Sequence, residues 1–347
     1  MPDSGAGLHA GLDNNIKEDS MGQSSAKACK TLLILALSAF AAGAAHAQSS
    51  AYPTKPIRII IALAPGGGVD TTGRFIGQKL SEAWSQPVVA DNRPGAGGTI
   101  AAELVARAAP DGHTLLMTSS GITITPSLMK LSYDPRADLL PVTQAAISPG
   151  VLVVHPSLPV KNVKELIAFA RSKPGELFFS SSGQGSAQHL TLELFCQMTG
   201  LKMTHVPYKG TAPSITDVVA GRIALTVASV ISTRPMFTTG KLRALAVVGP
   251  KRTPALPEYP TIAESGVPGF GVDNWYALFL PGGTDKAIAV KLQQTISRVL
   301  LEPATRKVLL GQGLDAVGNS QDEFAKLYAS EISKWAKVVQ AVGLGPQ

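Results

Sequence analysis

The chain has 347 residues, of which 45% are hydrophobic, 16% charged and 5% aromatic, with 34 glycines and 25 prolines. It is too apolar to be disordered and too long for one average domain, so two domains are expected. Collagen, a coiled coil and a disulfide scaffold are excluded, and the net charge of +7 comes from scattered residues rather than the clustered stripe of a nucleic-acid face.

Lys27 and Lys30 precede the apolar run from Thr31 to Ala45, and Ala45-His46-Ala47 stands just before Gln48. A basic region, a short apolar run and an A-x-A site compose a secretory signal peptide, cleaved after Ala47 on export to the periplasm. The run is too short to span a membrane. Asp13, Glu18 and Asp19 do not suit a basic leader, so Met21 reads as the start and residues 1–20 as an over-called extension. Cleavage removes three lysines and four acidic residues, leaving a net charge of +8 and a single cysteine, Cys196, expected to be buried and inert.

From Ile57 the pattern is strand, glycine turn, helix. Ile57–Leu63 is nearly continuous in apolar residues, as a buried parallel strand is. Ala64-Pro65-Gly66-Gly67-Gly68 breaks it, and Asp70 is expected to cap a helix over Thr71–Trp84. Val88–Ala90 reads as a strand, Gly95–Gly98 as a loop, Thr99–Ala108 as a helix and His113–Thr118 as a strand. This is βαβαβ, the start of a doubly wound sheet.

The same grammar restarts at Val151–Val154. Asn162 with Glu165 signals a helix start before Pro174-Gly175, and Leu177–Ser181 reads as a strand. A helix then runs to Thr199 with Leu190, Leu194 and Met198 on its inner face, closed by Gly200. Met203–Val206 is a strand, Pro213 is expected at a helix N1 position, and Ala224–Ala228 and Arg243–Val248 complete the unit. Asp273–Leu280 is an apolar strand without a sequence neighbour. Thr284 is expected to cap a helix carrying Ile288, Leu292, Ile296 and Leu300, and Ser320 with Glu323 forms a capping box before the last helix. The fold class is therefore α/β, with two doubly wound lobes joined by a two-strand hinge. Residues 51–153 and 276–347 form one lobe and 154–275 the other.

Two glycine loops, one per lobe, each follow a strand and precede a helix: Ala64 to Asp70, and Ser180 to Ser186. Both set backbone N–H groups and a helix N-terminus at the carboxyl edge of a sheet, where open α/β sheets bind ligands and anions are favoured. Gly67 is expected to need the freedom of glycine most. Neither loop contains a Walker motif or a G-x-S-x-G elbow. His189 and Glu193 share a helix face but lack a third metal ligand. His113, His155 and His205 fall at strand ends and read as surface or hinge residues. No metal, cofactor or catalytic set is indicated.

Pro65-Gly66-Gly67-Gly68-Val69-Asp70, Asp91-Asn92-Arg93-Pro94-Gly95-Ala96-Gly97-Gly98, Asp111-Gly112-His113-Thr114-Leu115, Ser182-Gly183-Gln184-Gly185-Ser186 with His189-Leu190, and His205-Val206-Pro207-Tyr208-Lys209-Gly210 occur in this order. Together they closely resemble the Bug (TctC-like) family, extracytoplasmic solute receptors of tripartite tricarboxylate transporters, over essentially all of residues 51–347. The resemblance implies a type II periplasmic-binding-protein fold, a carboxylate ligand in a cleft and a membrane permease as partner. It implies that loop one (Ala64, Pro65, Gly66, Gly67, Gly68, Asp70) and loop two (Ser181, Gly183, Gly185, Ser186) clamp a carboxylate, with Tyr208, Lys209, Gly210 and Asp217 lining or bracing the cleft. Ser119, Ser120 and Ser229, at strand ends, are expected to select the rest of the ligand. Thr125-Pro126 stands where the family suggests Asn-Pro, and Ala224 where an acidic residue is frequent, so the distal end of the ligand is expected to differ there. A monomeric, non-enzymatic binding protein follows. A periplasmic hydrolase of similar fold and a sensor feeding a signalling system are the alternatives.

Overall fold

The computed structural model describes residues 52–345, and the compact unit beginning at Pro53 contains every element discussed. The expected export signal, with its expected cleavage site at Ala47, and the expected start at Met21 lie outside the described residues.

Five residues in sequence, Ile57–Ile61, form β1, and all but Arg58 are buried. Isoleucine suits this position because its β-branched side chain packs well on a pleated surface covered on both faces. The chain continues through α1 (Gly68–Trp84), β2 (Val88–Asn92), α2 (Thr99–Ala106), β3 (Thr114–Ser119), α3 (Thr125–Leu128) and β4 (Leu139–Ser148). Then follow β5 (Gly150–Val154), α4 (Val163–Ser172), β6 (Phe178–Ser181), α5 (Ala187–Thr199), β7 (Thr204–Pro207), α6 (Thr211–Val219), β8 (Leu225–Ser229), α7 (Val230–Thr238) and β9 (Arg243–Val247). The last elements are β10 (Asn274–Pro281), α8 (Lys286–Leu301), α9 (Pro303–Gly311), β11 (Asp315–Ala316) and α10 (Gln321–Ala341). No helix among the described residues is long and apolar enough to cross a membrane.

The strands form two sheets, β11-β4-β10-β3-β1-β2 and β7-β6-β8-β5-β9. β1 pairs parallel with β2 and β3, and β6 with β7 and β8. The chain leaves the first sheet at Ser148 and enters the second at Gly150, with Pro149 alone between. It returns through a segment in which Val248 donates to Gly150 and Val272 to Val248, before Asn274 pairs with Ser148. The two crossings therefore lie side by side.

β10, which had no evident partner in the sequence, is antiparallel to both β3 and β4, with Trp275 and Phe279 fully buried. β4 has no counterpart among the expected strands. Pro141 and Gln144 interrupt its apolar pattern, and its pairing with β10 shifts register near Pro141. The terminal helix serves both sheets. Phe324, Tyr328 and Ile332 pack into the first core, whereas Trp335, Val338 and Val339 pack into the second. Residues 276–347 thus do not pack on the first sheet alone.

Local signals are realised at Asn162, which accepts from Glu165 N, at the Ser320–Glu323 capping box and at Gly200, left-handed at φ 67°. Four local expectations are corrected. Gly67, not Asp70, is the N-cap of α1, because the helix begins three residues earlier than expected. Asp285 caps α8, while the Thr284 hydroxyl donates to Pro281 O. Gly210 caps α6, so Pro213 stands at its third position. Leu190 is buried on the inner face of α5 as expected, joined by Leu192, Phe195, Cys196 and Thr199, while Leu194 is partly buried and Met198 is exposed.

Candidate ligand-binding site

A cavity of about 660 Å³ opens between the two sheets, with walls from both glycine loops and from both crossing segments. Loop one contributes Gly66 and Gly68, followed by Thr71. Loop two contributes Ser182, followed by Ala187, Gln188 and Thr191. Ser120, Ser148, Ser229, Asp273, Asn274 and Tyr276 supply further polar groups.

Asp70 organises loop one from behind. It is buried, with Oδ2 accepting from Gly66 N at 2.9 Å and Oδ1 from Arg74 Nε and Asn92 Nδ2, each at 2.9 Å. Burial pushes its carboxyl up, but the Gly66 amide, Asn92 and Arg74 outweigh that and hold it below the usual carboxylate range. Asp70 thus does not line the cavity, and it takes up the Gly66 amide. The donors left to a ligand are the first-turn amides of α1, which have no carbonyl one turn before them. Gly68 lies directly beneath the Tyr276 ring: a Cβ there would meet the hydroxyl oxygen at 2.6 Å. Gly67 has φ −82° and room for a Cβ, which would meet Ala64 O at an ordinary 3.7 Å, so the special glycines of this loop are Gly66, at φ +84°, and Gly68. Ala64, Pro65 and Gly67 are exposed and stand outside the lining.

Loop two rests on two stacked imidazoles. The rings of His189 and His205 are 3.7 Å apart at 12°, and Phe179 continues the stack at 5.0 Å from His205. His205 is therefore a supporting residue, contrary to its expected place at a surface or hinge. Burial, then the neighbouring His189, lowers its pKa to about 4. Gly185 N donates to His189 Nδ1 at 3.0 Å, which assigns the ring proton to Nε2, facing Glu193 at 3.4 Å. Among the described residues no group of three or more His, Cys, Asp or Glu could hold a metal ion.

Ser181 is fully buried. Its hydroxyl donates to Gly183 O at 2.9 Å and lies 2.7 Å from His205 Nε2. With its proton committed to a carbonyl and no exposed surface, it lacks the access that a nucleophile needs. Ser186 caps α5 by accepting from His189 N. Gly183 and Gly185 shape the turn at φ 141° and 74° without lining the cavity. The lining serine here is Ser182, whose amide donates to Gln188 Oε1 at 2.8 Å, while Gln188 Nε2 donates to Val227 O.

Tyr208 donates to Asp217, and Arg222 donates to the other carboxylate oxygen. Those two bonds hold the Asp217 carboxyl below its ordinary range, Arg222 acting most strongly. Gly210, the cap of α6, donates to Ser182 O, and Lys209 is exposed. Tyr208 and Gly210, whose amides donate to Ser181 O and Ser182 O, brace loop two, and neither they nor Lys209 and Asp217 line the cavity. Ser120 and Ser229 do line it, and Ser119 does not. Thr125 donates to Gly121 O in the turn that precedes α3, and Ala224 lines a separate depression beside His155 and Phe178. Neither departure therefore falls at the cavity wall. Thr71, Gln188, Thr191, Ser148, Asp273, Asn274 and Tyr276 went unnoticed in the sequence. The first three lie one turn beyond a loop and were legible from helix periodicity, whereas the other four depend on how the sheets are ordered. Cys196 is buried, and burial pushes its thiol up to about 12.

Comparison with known proteins adds to this geometry. The family model described as tripartite tricarboxylate transporter family receptor matches residues 73–344. Protein BugT of Bordetella pertussis is 36% identical over 306 residues, which is 86% of this chain and 93% of that protein. The solved structure of R. palustris Rpa4515 with adipate is 38% identical, with a TM-score of 0.71, covering 85% of this chain and all of that one. MatC (Rpa3494) from Rhodopseudomonas palustris with bound malate is 31% identical, with a TM-score of 0.66, covering 83% and 100%.

Proposed function

The chain belongs to the TctC (Bug-type) family of periplasmic solute receptors, and on that premise we propose that it captures a small organic carboxylate between two closing lobes and delivers it to the membrane permease of a tripartite transporter. The family consists of binding proteins rather than enzymes. The observation that carries this reading is the cavity between the two glycine loops, which takes in the hydroxyl and amide groups of Ser120, Gln188, Thr191 and Ser229 and reaches the first turns of α1 and α5. Backbone amides at a helix start favour an anion without needing a cationic side chain. Loop one presents the amides of α1, and loop two offers Ser182 with the start of α5.

Two relatives of known structure are described with adipate and with malate, which supports a carboxylate as ligand here. The adjacent crossings at Pro149 and at residues 248–273 would act as the hinge between lobe 1 (51–153 and 276–347, apart from the shared end of the last helix) and lobe 2 (154–275). Export through the signal ending at Ala47 would deliver a monomer to the periplasm.

Calorimetric titration and thermal shift of the mature protein against mono- and dicarboxylates test this. A ligand at ~100 times its Kd adds about 2.7 kcal/mol to the native state. Mass spectrometry of the natively purified protein would identify a retained metabolite. Absence of binding across the panel together with ester or amide turnover would replace this reading with the hydrolase.

A further inference from the structure

The cavity wall carries one ionised side chain, and it is negative. Among the described residues no lysine, arginine or histidine lines the cavity; Asp273 does, from the returning crossing segment just before β10. Resting on the carboxylate-receptor reading above, we propose that Asp273 makes the cavity select carboxylates whose far end is a hydrogen-bond donor or a cation, a primary amide or an ammonium group, over dicarboxylates.

The Asp273 carboxylate lies against Gly249, where Oδ1 would be 2.8 Å from a Cβ at that position. It is partly exposed at the cavity surface and accepts no hydrogen bond from any described residue. The charged groups that face it come from every neighbouring element: Glu331 and Lys334 on α10, Asp315 on β11 and Lys251 on the crossing segment. Lys334 is already bonded to Glu331 and to Gly271 O. Asp315 accepts from Thr253 through one oxygen, while its other oxygen is buried without a partner. Three carboxylates against two ammonium groups leave this wall negative.

A ligand held by its carboxylate at the loops meets that wall with its other end. A second carboxylate would face an uncompensated like charge inside the cleft, and two carboxylates held close together repel. An amide N–H or an ammonium would instead give Asp273 the donor it lacks. Burial, with Glu331 adding to it, pushes the Asp273 carboxyl up to about 6, so it is ionised at neutral pH. As pH falls through that value the preference weakens. A dicarboxylate gains because Asp273 takes up a proton and becomes a donor; an ammonium-ended ligand loses its partner.

The test is calorimetry at pH 7.5 with matched sets of four, five and six carbons. Each set comprises the dicarboxylate (succinate, glutarate or adipate), its monoamide and its ω-amino acid. The monoamide or ω-amino acid of the best-fitting length should bind about tenfold or more tighter than its dicarboxylate. Asp273→Asn should bring that ratio to within about threefold while circular dichroism stays unchanged, and Asp273→Ala should do the same. Wild-type dicarboxylate affinity should rise between pH 7.5 and 6.5, a window in which the ligand's own carboxylates stay ionised, and in Asp273→Asn it should not. A dicarboxylate that binds tightest at pH 7.5, with a Kd unmoved by Asp273→Asn, overturns the selection and leaves the carboxylate receptor standing. No binding by any of these compounds, nor by other carboxylates, overturns both.

Discussion

The hydroxyl of Tyr276 stands over Gly68 so closely that a Cβ there would lie 2.6 Å from it, with two further ring carbons within 2.9 Å. A residue of β10 and the first residue of α1, far apart in sequence, therefore fix the height of loop one over the cavity floor. Gly68→Ala must displace an 8%-exposed ring or the helix start. Overpacking of this kind costs about 1–3 kcal/mol. Gly67→Ala meets nothing nearer than 3.7 Å at an ordinary φ and should be close to neutral. Urea unfolding with calorimetry on both variants checks this: binding should fall at least about tenfold for Gly68→Ala and less than about threefold for Gly67→Ala. Equal effects would contradict the assignment.

Asp70→Asn should weaken both stability and binding, because it gives up charge-assisted bonds to Gly66 N, Asn92 and Arg74. The loss expected is about 1.5–3 kcal/mol. The folded carboxyl titrates below its ordinary 3.8, so its contribution is complete above that value and lost as pH falls through the lower, folded one. The stability gap between wild type and variant should be constant from pH 5 to 8 and shrink only below about 4. A gap that already shrinks at pH 6 would point to another group.

The His189–His205 stack predicts a different acid limb. Its folded value near 4, below the ordinary 6.5, means His205 stabilises loop two as a neutral ring, fully above 6.5 and progressively less as pH falls to 4. His205→Gln should remove that dependence and leave the behaviour below 4 to Asp70. Proton NMR of the imidazoles reads it directly, and a His205 midpoint near 6.5 would show that the ring is not held as described.

Export should yield a mature chain beginning at Gln48, since Ala45 and Ala47 are the small residues that signal peptidase requires. N-terminal sequencing of a periplasmic extract would establish it; full-length protein retained in the cytoplasm would contradict it.

Much of the architecture was legible because it is written in short-range terms. The isoleucines of β1, the Asn162 cap, the Ser320–Glu323 box and the left-handed Gly200 depend on residues no more than four apart, and backbone sterics and helix geometry act over that range. Both glycine loops were found the same way, as was Ser120 at the end of β3. The roles inside those loops were not. Asp70 read as a cap and Ser181 as a ligand group because a short polar side chain beside a helix start suits either role. The partners that decide, Asn92 for one and His205 for the other, come from neighbouring strands.

What only the tertiary structure decided is the part of the cavity wall outside the loops. β10 enters between β3 and β4 as a buried antiparallel strand, and that placement alone brings Asn274 to Ser120, 154 residues away. The same insertion puts Tyr276 over Gly68 and sets Asp273 in the cavity. Sheet order is chosen by the burial of whole apolar faces, such as Trp275 and Phe279 against Phe324, and not by any local preference. The sequence by itself thus determined the family of fold and the two glycine loops, while long-range packing determined the rest of the cavity wall.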